Sequence, residues 1–428
     1  MMSKQSVAGM TLSLMLGVVS SPNVVSGQLP SASTATLATA NNYTALARGF
    51  TAIATNPAGL GMSDNPGFSL TFLPIQARAG LNAIKVSEIN EVAGALIPTT
   101  TKERWLETVT TEGALTARAG FAVTEFAMTA GRVGFQLSTV GEMSASLSPD
   151  AFELILFGNA GRTGTARDMT LAGTGGDAWA ASTAAVAFAI PLSGGGDGNL
   201  AFGVTLKYTV GHAVIAARDD GGVITASPIG IDLALPIIAP DSFSVNNGSG
   251  VGLDLGLAWE GEAWTFSAAV QNVINTFEWN LDAFAFRPGT VFADQDSIST
   301  NFDPVPIASA PSALRTEILE QGFEPVLNLA VAFRTSDRFA LTADYRYDSG
   351  ETLVIGEGSH IGVGAEVRLL PFLPLRGGVS RIEGGAVHLA GGFALELGPL
   401  HFSAAYLVEK KSAGEYRAAT VAMSFAHN

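Results

Sequence analysis

The chain has 428 residues, of which 47% are hydrophobic and only 14% charged, with a formal net charge of -15 and a mean hydropathy of +0.32. The acidic balance argues against a nucleic-acid partner, because phosphate binding needs basic patches. The absence of cysteine excludes disulfides. Beyond the N-terminus, no stretch holds eighteen unbroken apolar residues, so the sequence predicts no transmembrane helix.

The first 27 residues have the features of a secretory signal. Lys4 supplies the positive start, and residues 7–19 form an apolar run that is too short to span a bilayer. Small residues at 25–27 precede Gln28, which makes a cleavage site there plausible. The sequence therefore predicts a signal peptide over 1–27 and export of the remaining chain.

Residues 28–66 form the first mature segment and show no alternation of apolar and polar side chains. The segment begins with a tract of Ser, Thr and Ala, and it contains an Asn-Pro dipeptide at Asn56 and Pro57. Asn-Pro starts turns, and Gly59 can adopt a positive φ. We therefore expect a compact, turn-rich segment here.

Residues 67–428 are dominated by strands with side chains alternating between two unlike faces. The clearest case is the stretch from Val326 to Phe425, which reads as seven short strands in a row. A soluble sandwich would give the same alternation. The tiny and charged residues on the polar face, together with the signal peptide, favour a transmembrane barrel with a wet lumen.

The earlier part of the chain adds seven more strands. We expect strand one over 67–79, strands two and three around Gly131, and four later strands, which are 179–190, 200–216, 251–259 and one starting at Trp264. The total of about fourteen is even, as bacterial barrels require. Every long connection then falls at one end of the barrel, which is assigned to the outside because periplasmic turns are short. Trp259 and Trp264 flank one such turn, where an aromatic girdle belongs.

Two of the long connections contain predicted short helices. Thr100 and Glu103 have the spacing of a capping box, which predicts a helix from Thr100 through Val109. In the second helix Ser148 is the predicted N-cap and Pro149 the first helical residue, and Gly158 follows its end.

Several segments resemble the FadL (OMPP1-type) and PorV-like outer-membrane barrels. The stretch 41–60, which ends in Asn-Pro-Ala-Gly-Leu, is similar to their N-terminal segment, and 253–256, 271–273 and 370–376 resemble later segments of PorV-like barrels. Residues 152–159 are similar to an uncharacterised branch of the same superfamily. The resemblance implies an N-terminal plug over 28–66 inside a barrel over 67–428, with Asn56, Pro57, Ala58 and Gly59 at the gate.

The resemblance also implies function. A FadL-like barrel would take up hydrophobic or amphipathic small molecules passively, fatty-acid-like compounds among them, and the plug would rearrange to let them pass. The alternative is a PorV-like role without transport, as an outer-membrane scaffold or shuttle for secreted proteins. The implied location is the bacterial outer membrane, and the implied state is a monomer.

Charged residues at inward positions are the candidate lumen contacts: Arg118, Glu142, Lys207, Asp254, Asp344, Arg346, Glu366, Arg368 and Arg376. Asp344, Arg346, Glu366 and Arg368 lie on neighbouring strands, where opposite charges can pair across the ladder. One interpretation is a salt-bridge network that braces the barrel and anchors the plug. The other is that an arginine, with Arg376 also available, meets the carboxylate head group of a passing amphiphile.

No catalytic residue, metal site or cofactor is expected. His401 and Ser403 share the inward face of strand thirteen, but residues two apart on a strand rarely align as nucleophile and base. The other histidines are scattered without metal-ligand spacing, and no Walker sequence occurs. The expected partners are outer-membrane lipid, a hydrophobic ligand, and the barrel-assembly machinery, which would read the last strand ending near Phe425.

Overall fold

A computed structural model describes residues 29–192, 198–336, 338–348, 359–411 and 413–427. The predicted signal peptide over 1–27 lies outside these residues. Within them, no helix is both long and apolar enough to cross a membrane. Fourteen strands build the main sheet: β1 Phe68–Asn82, β2 Leu115–Ala130, β3 Val133–Leu147, β4 Gly175–Leu192, β5 Asn199–Arg218, β6 Gly248–Glu260, β7 Trp264–Asn275, β8 Val326–Ser336, β9 Phe339–Asp348, β10 His360–Leu370, β11 Leu373–Ile382, β12 Val387–Leu397, β13 Leu400–Lys410 and β14 Gly414–His427.

These strands form a closed antiparallel barrel. Each strand pairs with the next, and β1 closes the ring against β14, with Phe68 opposite His427 and Asn82 opposite Gly414. The predicted count of about fourteen strands is confirmed, as are the seven strands of the last hundred residues. Closure leaves no strand edge unpaired, which is the condition for strands to stand in lipid.

The side chains of the barrel alternate between an apolar outer face and a polar inner face. On β9, Leu341 and Tyr345 are exposed on the outer face, whereas Asp344 is buried inside. On β10, Val363 is exposed outside, and Glu366 lies on the inner face. These orientations agree with the prediction, because the period of two in the sequence is the period of the pleat.

Short turns lie at one end of the barrel. Trp259 and Trp264 flank one of them, in which the Gly261 N–H donates to the Trp264 carbonyl oxygen at 2.9 Å. The Trp264 ring lies 4.5 Å from that of Phe333, measured between centroids. The predicted aromatic pair at this turn is present.

The helices lie in the N-terminal segment and in the long connections at the opposite end, called here the loop end. They are α1 Thr34–Ala38, α2 Phe50–Thr55, α3 Val86–Glu91, α4 Thr99–Glu112, α5 Pro149–Phe157 and α6 Ser312–Glu320, with 3₁₀ helices at Thr44–Leu46, Pro57–Gly61, Leu281–Ala283 and Ile307–Ser309. The predicted cap of α5 is correct, since Ser148 Oγ accepts from the Ala151 N–H at 3.3 Å. The predicted capping box of α4 is wrong. Pro98 is the N-cap of α4, and its carbonyl accepts from Thr101 and Lys102, so Thr100 already lies inside the first turn.

A five-stranded sheet at the loop end was not predicted. Its strands are Met169–Thr170, Val223–Ala226, Ile229–Ala234, Thr290–Ala293 and Ile298–Asn301. Four further short strands join the main sheet: Ile237–Pro240, Glu278–Trp279, Phe284–Arg287 and Val305–Pro306. Strands of two to six residues carry too little alternation to stand out in a sequence.

A buried apolar cluster lies below these loops at the loop end of the lumen. We call it the outer aromatic cluster; its main members are Trp179, Val214, Ile238, Phe277, Trp279, Phe284, Phe286, Leu314, Ile318 and Phe323. The Phe277 ring lies 5.1 Å from the Trp279 ring and 4.8 Å from the Phe323 ring, measured between centroids. The cluster joins residues of β4 and β5 to the loop segments between β5 and β6 and between β7 and β8.

The N-terminal segment, residues 29–66, enters the barrel and is called here the plug. Helix α1 packs on β11 to β14, the 3₁₀ helix Thr44–Leu46 packs on β7 to β9, and the 3₁₀ helix Pro57–Gly61 packs on β4 to β6. The plug therefore touches the wall on several sides, and its small residues let it fit within the ring.

Candidate functional site

The predicted gate residues form a turn that is pressed against β5 and β6. Asn56 Nδ2 donates to the Leu257 carbonyl oxygen at 3.1 Å, and Asn56 Oδ1 accepts from the Ala58 N–H at 3.1 Å. Pro57 and Gly59 continue into the buried 3₁₀ helix that follows. The Asn56 amide therefore closes its own turn and fastens that turn to the wall.

Two wall glycines make room for this turn. A Cβ on Gly256 would lie 2.1 Å from Asn56 Oδ1, and a Cβ on Gly203 would lie 2.2 Å from the Ala58 nitrogen. Neither distance is compatible with a side chain. Glycine inside these strands thus serves the close approach of a second backbone.

A second docking point lies on β10 and β11. Asn42 Nδ2 lies 3.4 Å from the carbonyl oxygens of both Val363 and Val379. A Cβ on Gly378 would come within 2.2 Å of the Thr39 carbonyl, so glycine is again the residue that permits contact. The plug is therefore held at two well-separated places on the wall.

Polar side chains of the inner face satisfy backbone groups of the plug. The Thr44 N–H donates to Asp344 Oδ2 at 2.9 Å, while Thr205, Gln136 and Gln271 donate to the carbonyls of Ile53, Pro30 and Ala54 at 2.9, 2.7 and 2.5 Å respectively. Buried backbone groups need such partners. Asp344 is accordingly a plug anchor. Thr205 and Gln136 were not among the predicted lumen contacts, although each occupies an inward position.

Three of the predicted lumen charges meet near the turn end. Glu366 accepts from Arg376 Nε at 2.8 Å and from Arg368 Nε at 3.0 Å, and Arg368 also donates to Glu396 at 2.6 Å. The two arginines and two carboxylates form a continuous chain of ion pairs that spans β10 to β12. Both guanidinium groups therefore have carboxylate partners within the wall.

The expected pairing of Asp344 and Arg346 with Glu366 and Arg368 is wrong. The register places Glu366 opposite Ala340 and Asp344 opposite Gly362, so the two pairs lie at different heights. Arg346 instead donates to Asp348 on its own strand at 3.1 Å. Alternation fixed the face of each residue but not its height relative to the next strand.

Two cavities beside the plug are small. Arg346 borders a polar cavity of about 60 Å³ that is lined mainly by Leu29, Pro30, Ser31, Thr36, Asn41, Thr44, Thr55, Gln271 and Asn328. Pockets for small organic ligands usually measure about 300–1,000 Å³. This cavity is therefore too small to hold such a ligand with the plug in this position.

His401 and Ser403 line another cavity, of about 110 Å³, together with Arg376. His401 Nε2 contacts the Gly398 carbonyl oxygen at 3.2 Å, and Ser403 Oγ donates to the Ala422 carbonyl oxygen at 3.5 Å. Each of the two side chains is bonded to backbone, and no nucleophile–base contact joins them in the described chain.

Two buried ion pairs lie on the inner wall. Lys207 Nζ lies 2.5 Å from Asp254 Oδ1, and Arg78 Nη2 lies 3.1 Å from Glu142 Oε1 across the intervening Gly120. Arg78 was not among the predicted inward charges. A bulge at Leu73, which has a φ of 50°, shifts the alternation of β1 and hides the inward position of the later residues.

The end of the plug is tied to the turn end of the barrel by a charged cluster. Asp64 pairs with Arg48 of the plug and with Arg334 of β8, the latter at 2.8 Å, and Arg48 also reaches Glu260 at 3.3 Å. Burial by itself raises the pKa of Asp64, but the two guanidinium groups outweigh it and hold the pKa below its usual 3.8. The carboxylate is therefore charged at neutral pH and links plug to wall.

Comparison with known structures identifies the fold. The Ralstonia pickettii toluene transporter TbuX superposes with a TM-score of 0.53 at 13% sequence identity, covering 92% of this chain and 98% of that chain. The Pseudomonas putida toluene transporter TodX gives a TM-score of 0.53 at 11% identity, covering 95% and 100%. The predicted FadL-like barrel architecture is confirmed.

Comparisons of sequence add a family. A family model with the description "F plasmid transfer operon, TraF, protein" matches residues 99–345, which is more than half of the chain. The chain belongs to this family. No curated protein matches the sequence.

Proposed function

We propose that this member of the TraF family is an outer-membrane channel for passive uptake of hydrophobic or amphipathic small molecules, including fatty-acid-like compounds. The observation that carries the proposal is the plug, which fills the lumen below the outer aromatic cluster. Two toluene transporters share the barrel fold, which supports the same class of cargo here. The plug is the gate, because the barrel ladder is complete without it.

The outer aromatic cluster is the proposed entry site. It offers an apolar, aromatic surface, and within the described chain the indole N–H groups of Trp179 and Trp279 are buried there without an acceptor. Buried donors of this kind cost free energy until a partner arrives. A ligand with an apolar body and one polar acceptor fits this combination.

Arg346 is the proposed head-group contact, chosen from Asp344, Arg346, Glu366, Arg368 and Arg376. It faces the small cavity beside the plug, and its partner Asp348 lies on the same strand. Arg368 and Arg376 are engaged by Glu366 and Glu396, so we assign them to bracing the wall. A carboxylate on the ligand would form a charge-assisted hydrogen bond with Arg346 once the plug has moved.

Location and partners belong to the same proposal. A barrel with an apolar outer face fits the bacterial outer membrane, with lipid around it and barrel-assembly machinery recognising the C-terminal strand. The chain is proposed to act as a monomer, and transport as such requires no catalytic group.

Uptake by whole cells tests the function. Cells that lack their own hydrophobic-compound channels and express this chain should take up radiolabelled toluene or hexadecanoate faster than cells carrying an empty vector. Uptake of a hydrophilic solute such as arabinose should not change. Equal uptake of both hydrophobic compounds with and without the chain would refute the channel function.

The alternative role, a scaffold or shuttle for secreted proteins, is favoured by the five-stranded outer sheet. Its edge strand Ile298–Asn301 is exposed at all four residues. Exposed strand edges pair readily with another chain. A protein that copurifies with the intact chain, and is lost when Ser299 is changed to Pro, would support this role if uptake is absent.

A further inference from the structure

A chain of hydrogen-bonded polar side chains lies on the outer face of the barrel, outside the lumen. Ser182 Oγ lies 2.7 Å from His212 Nε2 and 2.7 Å from Thr139 Oγ1. Thr139 in turn donates to Glu125 Oε1 at 2.6 Å. All four side chains are half-buried and reachable from outside. Polar groups are not expected on an apolar outer face, so the group calls for an explanation.

Two β-bulges bring these residues together. His212 is the extra residue in β5 between Gly211 and Ala213, which pair with consecutive residues of β4. Glu125 is the extra residue in β2, at the irregularity between Thr124 and Phe126. Bulges re-aim side chains and are frequent beside active sites. Each bulge adds one residue, so the alternation shifts for the residues that follow it on its strand.

The surroundings of His212 set its tautomer. Its Nδ1 lies 2.6 Å from the Val245 carbonyl oxygen. A carbonyl oxygen only accepts, so Nδ1 carries a hydrogen, and in the neutral imidazole Nε2 then presents its lone pair to Ser182. Ser182 has one hydroxyl hydrogen, which both Nε2 and Thr139 Oγ1 lie close enough to accept. Rotation of the hydroxyl toward Nε2 gives a nucleophile hydrogen-bonded to a base, with the base oriented by a third group.

An exposed tyrosine and exposed apolar side chains lie near the group on the outer face. Tyr208 is exposed on the outer face of β5, four residues before His212 on the way to the loop end. Tyrosines on the outer face mark the boundary between acyl chains and head groups. The loop that supplies Val245 also carries Phe243, which is 98% exposed, and Val245 itself is 66% exposed. Exposed apolar residues beside the group would enter the same boundary layer.

We propose that Ser182 and His212 form a nucleophile–base pair that hydrolyses acyl esters of membrane lipids. Ser182 Oγ bonds to the ester carbonyl carbon while its proton passes to His212 Nε2. The carbon–oxygen bond to the leaving alcohol then breaks as His212 returns the proton to that alcohol. Water then gives a proton to His212 as its oxygen bonds to the acyl carbon, and that proton passes to Ser182 Oγ as the bond between the acyl carbon and Oγ breaks and the fatty acid leaves. Thr139, Glu125 and the Val245 carbonyl are positioning groups.

Hydrolysis by the full chain in mixed micelles of detergent and dipalmitoyl phosphatidylcholine tests the proposal. The wild type should release palmitate, Ser182→Ala should abolish release, and His212→Ala should lower the rate by at least about a hundredfold, the lower range for a general base. Ser403→Ala is the matched control, since Ser403 lies inside the barrel near His401, and should act like the wild type. A fluorophosphonate should form an adduct on Ser182.

Folding is checked separately by heat-modified mobility of each variant. His212→Gln, which retains a side chain of similar reach, supplies a second variant if His212→Ala fails to fold. Palmitate release that does not exceed the Ser182→Ala background would overturn the proposal, with or without an adduct. So would release that is unchanged in a folded His212 variant.

Discussion

Asn56 of the plug lies directly against Gly256 of β6, so that a Cβ on Gly256 would come within 2.1 Å of Asn56 Oδ1. The same Asn56 side chain donates to the carbonyl of Leu257, the next residue of that strand. The plug is therefore fitted to the wall by the absence of a side chain on one residue and a hydrogen bond to its neighbour. A substitution at Gly256 and a substitution at Asn56 can test the two features separately.

Gly256→Ala should displace the plug without unfolding the barrel. The added methyl group overlaps Asn56, and overpacking of this kind costs about 1–3 kcal/mol. Planar-bilayer conductance should rise, and protease should cleave residues 29–66 faster. Gly377→Ala is the matched control, because a Cβ there would lie 3.8 Å from its nearest neighbour, the Ala390 carbonyl oxygen. Equal conductance in the two variants would count against this docking point.

Asp344→Leu should loosen the middle of the plug. Asp344 accepts from the Thr44 N–H at 2.9 Å and from the Thr342 hydroxyl at 3.0 Å. Loss of a hydrogen bond to a charged group costs about 1.5–3 kcal/mol. Asp344→Asn keeps an acceptor oxygen, so it should increase the protease cleavage of the plug less than Asp344→Leu does. The measurement is the protease cleavage rate of the plug, and a similar rate in both variants would show that Asp344 is not an anchor.

Acid should release the plug from the turn end of the barrel. The pKa of Asp64 is held below its usual 3.8 by Arg48 and Arg334 against the effect of burial. A carboxyl with a lowered folded-state pKa contributes stability at pH values above 3.8, and that contribution is lost as the pH falls below 3.8. Plug cleavage by an acid-active protease should therefore accelerate below this pH.

The control for the acid effect is Asp64→Asn, which removes the charge at every pH. This variant should show fast cleavage already near neutral pH and less change on acidification. Acid acceleration of the same size in Asp64→Asn and wild type would mean that another carboxyl is responsible.

Val363→Arg should destabilise the barrel, because Val363 is 52% exposed on the outer face of β10. An arginine on the lipid side costs about 2–4 kcal/mol near the bilayer midplane. Ile298→Arg is a fair comparison, since Ile298 is more exposed still but belongs to the outer sheet. In lipid vesicles, Val363→Arg should unfold at a lower temperature than Ile298→Arg. Equal stability of the two variants would argue against lipid contact at Val363.

The sequence predicted which face of the barrel each side chain occupies, because that depends only on a period of two. It did not predict which residues meet across strands, because that depends on register. Leu341, Tyr345 and Asp344 face the sides that alternation assigned to them. Asp344 nevertheless bonds Thr44, which is 300 residues away in the chain, and no local pattern encodes that contact. The expected pairing of Asp344 and Arg346 with Glu366 and Arg368 failed for the same reason.

Irregular backbone accounts for the other differences. A bulge adds one residue, so the alternation shifts for the residues that follow Leu73 in β1 and His212 in β5. Pro98 replaced Thr100 as the start of α4, because its extended conformation already presents the first carbonyl of the helix. The group on the outer face was not predicted, because its hydrogen bonds join residues of four strands and no local pattern encodes them.

The most direct test of the gate is uptake with the plug locked in place. The chain has no cysteine, so one disulfide can be introduced. A Cβ on Gly61 would lie 3.3 Å from the Ala189 Cβ, just below the usual range of disulfides, and 2.7 Å from the Ala201 Cβ. Cells carrying Gly61→Cys, Ala189→Cys and Ala201→Gly should take up radiolabelled toluene poorly when oxidised and normally after reduction, while Ala201→Gly alone should respond to neither treatment. Equal uptake by the oxidised and reduced protein, with the disulfide verified by mass spectrometry, would contradict a plug that must move.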